Sequence, residues 1–123
     1  MVKITSNKTG KYLSEIYSSM QAKELLQCID KEKSVFAVVD DRAFKESPPV
    51  QELSRLLELN GVTVKRVKTS EALKSPETVL DICDWLVKKK ADRTSLLIGI
   101  GGGILTDMAG FAACIYMRGI RYA

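Results

Sequence analysis

Three consecutive glycines, Gly101-Gly102-Gly103, stand between the apolar run Ser95-Leu96-Leu97-Ile98-Gly99-Ile100 and a stretch of helical spacing that starts at Ile104. Glycine lets backbone N–H groups approach a ligand without a Cβ in the way. The N-terminus of the helix that follows offers unpaired N–H groups and positive dipole, which suits a phosphate. The bland alternative is a tight turn with close helix–strand packing, and the two stay open on spacing alone. The dinucleotide fingerprint GxGxxG is not met, because Thr106 stands where its third glycine would, and no Gly-Lys-Ser/Thr follows. Asp107 is expected in the first turn of that helix. There it either complements the dipole or accepts hydrogen bonds from a ligand's hydroxyl or amide groups. A carboxylate would repel a nearby phosphate, so the ligand reading places it on a ribose or nicotinamide. Glu71 and Lys74, three apart in a turn, are either solvated charges or a polar clamp on a nucleotide. Arg118 and Arg121 are either surface cations or anion ligands entering a new strand beside a ligand edge. There is no histidine at all, which removes the commonest general base and metal ligand.

These residues need elements to hold them. Val35-Phe36-Ala37-Val38-Val39 is a buried strand ending at Asp40-Asp41. Pro48-Pro49 opens a helix with apolar residues at 50, 53, 56 and 57, stopped by Asn60-Gly61. Val62 to Val67 alternates as a second strand. Ser75 caps a helix with Pro76 at its first position and Val79, Ile82, Cys83 and Leu86 on one face, running to about Lys89. Leu96–Ile100 is the third strand, and a helix runs from Ile104 to about Met117. Leu13 to Tyr17 reads as a strand, Met20 to Ile29 as a short helix, and Arg121-Tyr122-Ala123 as the start of another strand. Strands alternating with helices predict one α/β domain over residues 1–123: a Rossmann-like, mostly parallel twisted sheet with helices on both faces. In such a sheet, ligands sit at the carboxyl ends of the strands. That gathers Asp40-Asp41, the segment from Thr69 to Lys74 and the glycine run along one edge.

Composition excludes other classes. The 123 residues are 46% apolar and 28% charged with a net charge of +4, which is ordinary globular composition. The basic residues are scattered apart from Lys88-Lys89-Lys90, which suits a helix C-terminus. No basic stripe suggests nucleic acid. No apolar run approaches a membrane span, and MVKITSNKTGK has no signal-peptide core. Cys28, Cys83 and Cys114 form no CxxC pair and read as small buried hydrophobes of a reducing cytoplasm.

The segment Gly101-Gly102-Gly103-Ile104-Leu105-Thr106-Asp107-Met108-Ala109-Gly110-Phe111-Ala112-Ala113, followed by Met117-Arg118-Gly119-Ile120-Arg121, resembles 3-dehydroquinate synthase. That family carries GGG-x-x-G-D-x-x-G-F-x-A-A-x-x-x-R-G-[IV], and Thr106 replaces the glycine before the aspartate. Glu71-Ala72-Leu73-Lys74-Ser75 resembles its G-E-x-x-K-[ST], with Ser70 for the glycine. The resemblance runs from about Ser34 to Ala123. It implies an NAD-binding N-terminal domain of a homodimeric enzyme that converts 3-deoxy-D-arabino-heptulosonate 7-phosphate, a small-molecule substrate, to 3-dehydroquinate and phosphate. It implies that Glu71 and Lys74 contact the adenosine side of NAD, Gly102 and Gly103 the pyrophosphate, and Asp107 the nicotinamide-ribose side. Asp41 matches an acidic cofactor-site residue; the asparagine often found two residues on is Ala43 here. Arg118 matches an arginine lent to the neighbouring subunit's substrate site. The zinc or cobalt ligands and the catalytic residues of the family lie past the matched stretch. The resemblance therefore implies no metal ligand and no catalytic residue in this chain, which alone is expected to be inactive. The alternatives are another sugar-phosphate cyclase, a metal-dependent dehydrogenase of the same superfamily, or a complete non-catalytic nucleotide-binding module.

Overall fold

The computed structural model describes residues 33–123, together with residues 26 and 29 and the backbone of 4–6 and 14–16. Ile4–Ser6 (β1) and Ser14–Ile16 (β2) pair antiparallel. The strand expected near Leu13 to Tyr17 is thus β2. The helix expected over Met20 to Ile29 lies outside the described residues except for Leu26 and Ile29, and so does Cys28.

The main sheet has four parallel strands in the order β4-β3-β5-β6. These are Val35–Asp40 (β3), Thr63–Val67 (β4), Leu96–Ile100 (β5) and Arg121–Tyr122 (β6). β3 is flanked on both sides, with Val38 opposite Lys65 on one and Gly99 on the other. A strand covered on both edges and both faces has no polar face, which is why residues 35–39 are uniformly apolar and buried. β4 is an edge strand and is buried only at Val67, its other residues being partly or fully exposed.

Side chains of successive strand residues point to opposite faces, and two cores result. Phe36, Val38 and Leu97 pack on one face against Val79, Ile82 and Leu86 of Pro76–Lys88 (α3) and Leu105, Met108, Ala109 and Ala112 of Gly103–Ile115 (α4). Val35, Ala37, Leu96 and Ile98 pack on the other against Leu53 and Leu57 of Pro48–Leu59 (α2). The cap expected at Ser75 forms, its Oγ accepting from Thr78 N at 3.3 Å, and Gly61 takes the left-handed φ of +84° after α2. Ser47, which the sequence reading did not single out, caps α2, its Oγ accepting from Val50 N at 3.4 Å.

Three expectations are corrected. Asp41 follows the strand, but not in a loop; it begins a short helix that the sequence reading did not foresee, Asp41–Glu46 (α1), capped by Asp40, whose carboxylate accepts from Arg42 N at 3.0 Å. Asp107 lies in the second turn of α4, beyond reach of the N-terminal dipole, because the helix begins at Gly103. Cys114 is exposed and Cys83 only half-buried, because α4 turns its alanines, not Cys114, onto the sheet. No helix among the described residues is long and apolar enough to cross a membrane.

Candidate functional site

The chain runs from β3 outward to β4, then crosses back over β3 to β5. The reversal leaves a crevice at the carboxyl ends of β3 and β5, where open α/β sheets take ligands. The glycine run forms one wall. A Cβ on Gly101 would come within 2.8 Å of both Asp40 Cβ and Leu105 Cδ2, so this position is glycine because two other segments close on it. Gly102 and Gly103 differ. A Cβ on either would meet nothing within 4 Å, so their backbone borders open space. Gly102 is the N-cap of α4 and brings no side-chain cap. The helix's first N–H groups therefore remain available at an exposed loop.

Lys74 and Glu71 occupy the exposed turn before α3, where Lys74 N donates to the Glu71 carbonyl at 3.3 Å. Lys74 Nζ reaches Asp107 Oδ2 at 3.5 Å. The fold thus brings together two charges 33 positions apart.

Asp41 lies at the carboxyl end of β3 and is 9% exposed. Lys45 Nζ approaches its Oδ2 at 2.9 Å and Arg66 Nε its Oδ1 at 3.1 Å. Arg66 in turn lies over the Phe44 ring, 4.5 Å from its centroid. The hydrogen bond from Lys45 holds the Asp41 carboxyl below its ordinary range, helped by the charges of Lys45, Arg66 and Lys68 and opposed by burial. The sequence did not single out Lys45 or Arg66. Lys45 was recoverable as the i+4 partner of Asp41 once a helix is drawn there; Arg66 comes from the neighbouring strand and had no local signal.

Arg118 sits at the other end of α4. Thirteen helical residues separate the ends by about 20 Å, so Arg118 does not join the glycine run. Arg118 and Met117 both hold left-handed backbone, at φ +69° and +47°, a costly state for residues with side chains. Arg121 enters β6 at the amino edge of the sheet, donating to the Thr94 carbonyl at 3.1 Å. The expectation of a ligand edge beside it is corrected by the parallel direction of β6.

This edge carries exposed backbone N–H groups, carboxylates and a lysine, donor and acceptor types that suit an anionic, hydroxyl-bearing ligand. Among the described residues, no group of three His, Cys, Asp or Glu side chains is placed to hold a metal ion.

A family model described as 3-dehydroquinate synthase N-terminal matches residues 64–123. The chain is 41% identical over 97 residues to the pentafunctional AROM polypeptide of Zygosaccharomyces rouxii, spanning 75% of this chain and 6% of that polypeptide. It is 40% identical over 73 residues to the 3-dehydroquinate synthase of Ruminiclostridium cellulolyticum, spanning 58% of this chain and 20% of that enzyme. The chain thus covers no more than about a fifth of either relative. In fold it resembles 2-deoxy-scyllo-inosose synthase in complex with carbaglucose-6-phosphate, NAD+ and Co2+, with a TM-score of 0.73 at 18% identity over 98% of this chain and 34% of that one. The parallel sheet, the strand–glycine–helix wall and the Glu71/Lys74 turn lie largely within or beside residues 64–123, the stretch that matches the 3-dehydroquinate synthase N-terminal family model.

Proposed function

We propose that the chain forms the NAD-binding part of a 3-dehydroquinate synthase. The observation that carries this reading is the open glycine run, Gly102-Gly103, heading α4 at the point where the strand order reverses, inside the stretch that the family model matches. In this reading the N–H groups at Gly102 and Gly103 hold the pyrophosphate. Glu71 and Lys74 face the adenosine side. Asp107 accepts from the nicotinamide-ribose side, and the Asp41–Lys45–Arg66 cluster forms the wall at the end of β3. When bound, NAD supplies a reversible hydride acceptor for a substrate alcohol, so that phosphate can leave the heptulosonate phosphate and the oxidised carbon can be restored without net redox change. The chain's own contribution is to bind and orient. Its backbone donors neutralise the diphosphate, and Lys74 compensates Asp107 until a ligand competes for it.

The residues that hold zinc or cobalt are proposed to lie outside those described. With no histidine in the sequence, the general base and the metal are proposed to come from outside these 123 residues, and the chain alone to be inactive. Arg118, at the far end of α4, is proposed to serve a neighbouring subunit's substrate in a homodimer. The setting proposed is cytoplasmic.

Titration calorimetry of NAD into the protein tests the reading, with Gly102→Val as control. Binding abolished by that substitution supports it; wild-type protein that takes no NAD at millimolar concentration overturns it. A sugar-phosphate cyclase of another specificity is the second reading, favoured by the fold likeness to 2-deoxy-scyllo-inosose synthase. Phosphate release from heptulosonate phosphate, and not from glucose 6-phosphate, by the enzyme that carries this domain separates the two.

A further inference from the structure

Three glycines in a row lose the most freedom on ordering. The backbone bond from Thr106 N to the Gly102 carbonyl, 3.0 Å, holds the run to the helix, and the same residue's side chain adds a second restraint. Thr106 Oγ1 lies 3.2 Å from the Gly102 carbonyl and 3.2 Å from the Gly103 carbonyl, and shares its single proton between them. The carbonyl of Thr106 itself accepts a bond from the Tyr122 hydroxyl at 3.0 Å. Two further glycines make room for that tyrosine. A Cβ on Gly99 would collide with its hydroxyl, and one on Gly110 would come 3.3 Å from its ring. Strand β5, strand β6 and helix α4 therefore meet around one aromatic ring, whose only polar atom points at the residue holding the glycines.

We propose that Thr106, braced by Tyr122, is a positioning residue that sets the direction of the N–H groups of the glycine run toward a bound diphosphate. The physical link is the planarity of the peptide bond. The Gly102 carbonyl and the Gly103 N–H belong to one rigid plane and point in opposite directions. The Gly103 carbonyl and the Ile104 N–H form the next plane. A hydroxyl that draws both carbonyls back along the helix turns both N–H groups outward, to the side where Gly102 and Gly103 border open space. A ligand then finds its donors aligned and does not have to order them. Glycine, which the family resemblance puts at position 106, has no hydroxyl to do this. A threonine bonded to its own preceding turn is common in helices. What is specific here is that the carbonyls it holds are those of the ligand loop and that a second side chain fixes it from another strand.

The ligand in this inference rests on the dinucleotide reading above; the restraint on the loop does not. The test therefore reads both, using Thr106→Val, which keeps the shape and loses the donor, Thr106→Ser, which keeps the donor, and Tyr122→Phe. NMR order parameters of the Gly103 and Ile104 amides report the restraint, NAD titration the affinity, and thermal unfolding the fold. Thr106→Val is expected to lower both order parameters and weaken NAD by about fivefold, the loss of one ordinary hydrogen bond. Its thermal midpoint should stay near wild type, Thr106→Ser should restore both readouts, and Tyr122→Phe should shift them the same way by less. Unchanged order parameters in Thr106→Val overturn the positioning role. Lower order parameters with unchanged NAD affinity overturn its bearing on the ligand. Lower order parameters in a protein whose wild type takes no NAD support the brace and overturn the dinucleotide reading instead.

Discussion

Lys74 and Asp107 form an ion pair, Nζ to Oδ2 at 3.5 Å, that ties the turn before α3 to the second turn of α4. Both side chains are largely exposed, at 47% and 68%. A pair in that setting contributes at most about 1 kcal/mol, so its placement matters more to a ligand than to the fold. Asp107→Ala should leave the thermal midpoint within about 2 °C of wild type. It should weaken NAD roughly 10-fold or more, the loss of a charge-assisted hydrogen bond. Calorimetry beside a thermal melt checks both, and an unchanged affinity removes Asp107 from the site.

Gly101 and Gly102 are adjacent but should respond oppositely to alanine. At Gly101 the new methyl meets Asp40 Cβ and Leu105 Cδ2 at 2.8 Å, and overpacking of that kind costs about 1–3 kcal/mol. At Gly102 it meets nothing within 4 Å, so stability should hold while the methyl occupies the space where a diphosphate would lie. Denaturant unfolding and NAD titration of the two variants separate the effects. Equal destabilisation by both would contradict the packing described.

The Asp41 carboxyl is held below its ordinary value of 3.8, chiefly by the Lys45 hydrogen bond and then by nearby positive charge. A depressed folded-state value means stabilisation that is complete above the unfolded value and lost as pH falls through the folded one. Asp41 should therefore contribute nothing to pH dependence near neutrality and part of the acid limb below about pH 4. Carboxyl titration followed by NMR should show Lys45→Met raising the Asp41 midpoint more than Arg66→Met does. The reverse order would reassign the cause.

Tyr116 is 6% exposed, and its hydroxyl donates to the Ala91 carbonyl at 2.7 Å within the core between α3, α4 and β5. Tyr116→Phe removes the donor and leaves a buried carbonyl without it. That should cost about 1–2 kcal/mol, read as a lower denaturant midpoint at unchanged slope. NAD affinity should not move, because Tyr116 ends α4 at the edge opposite the glycine run.

Local pattern determined much of this protein. The continuous apolar run at 35–39 read as a buried strand, because no polar face was left for solvent. Ser75-Pro76 and Ser47-Pro48-Pro49 started helices where they had to, since a serine cap and a proline without N–H satisfy the same unpaired end. Glycines 101–103 marked the loop between a strand and a helix at the carboxyl edge of the sheet. The tertiary structure decided the rest, for reasons that sequence separation conceals. Gly101 is required by Asp40, some sixty positions earlier. Asp41 owes its low carboxyl to a short helix without an apolar stripe and to an arginine on another strand. Lys74 finds Asp107, and Tyr122 finds Thr106, only because the chain crosses back over β3 and then lays β6 beside β5. Arg118 was separated from the glycine run by the same geometry: a helix that begins at the carboxyl edge of a parallel sheet must deliver its last residues to the amino edge.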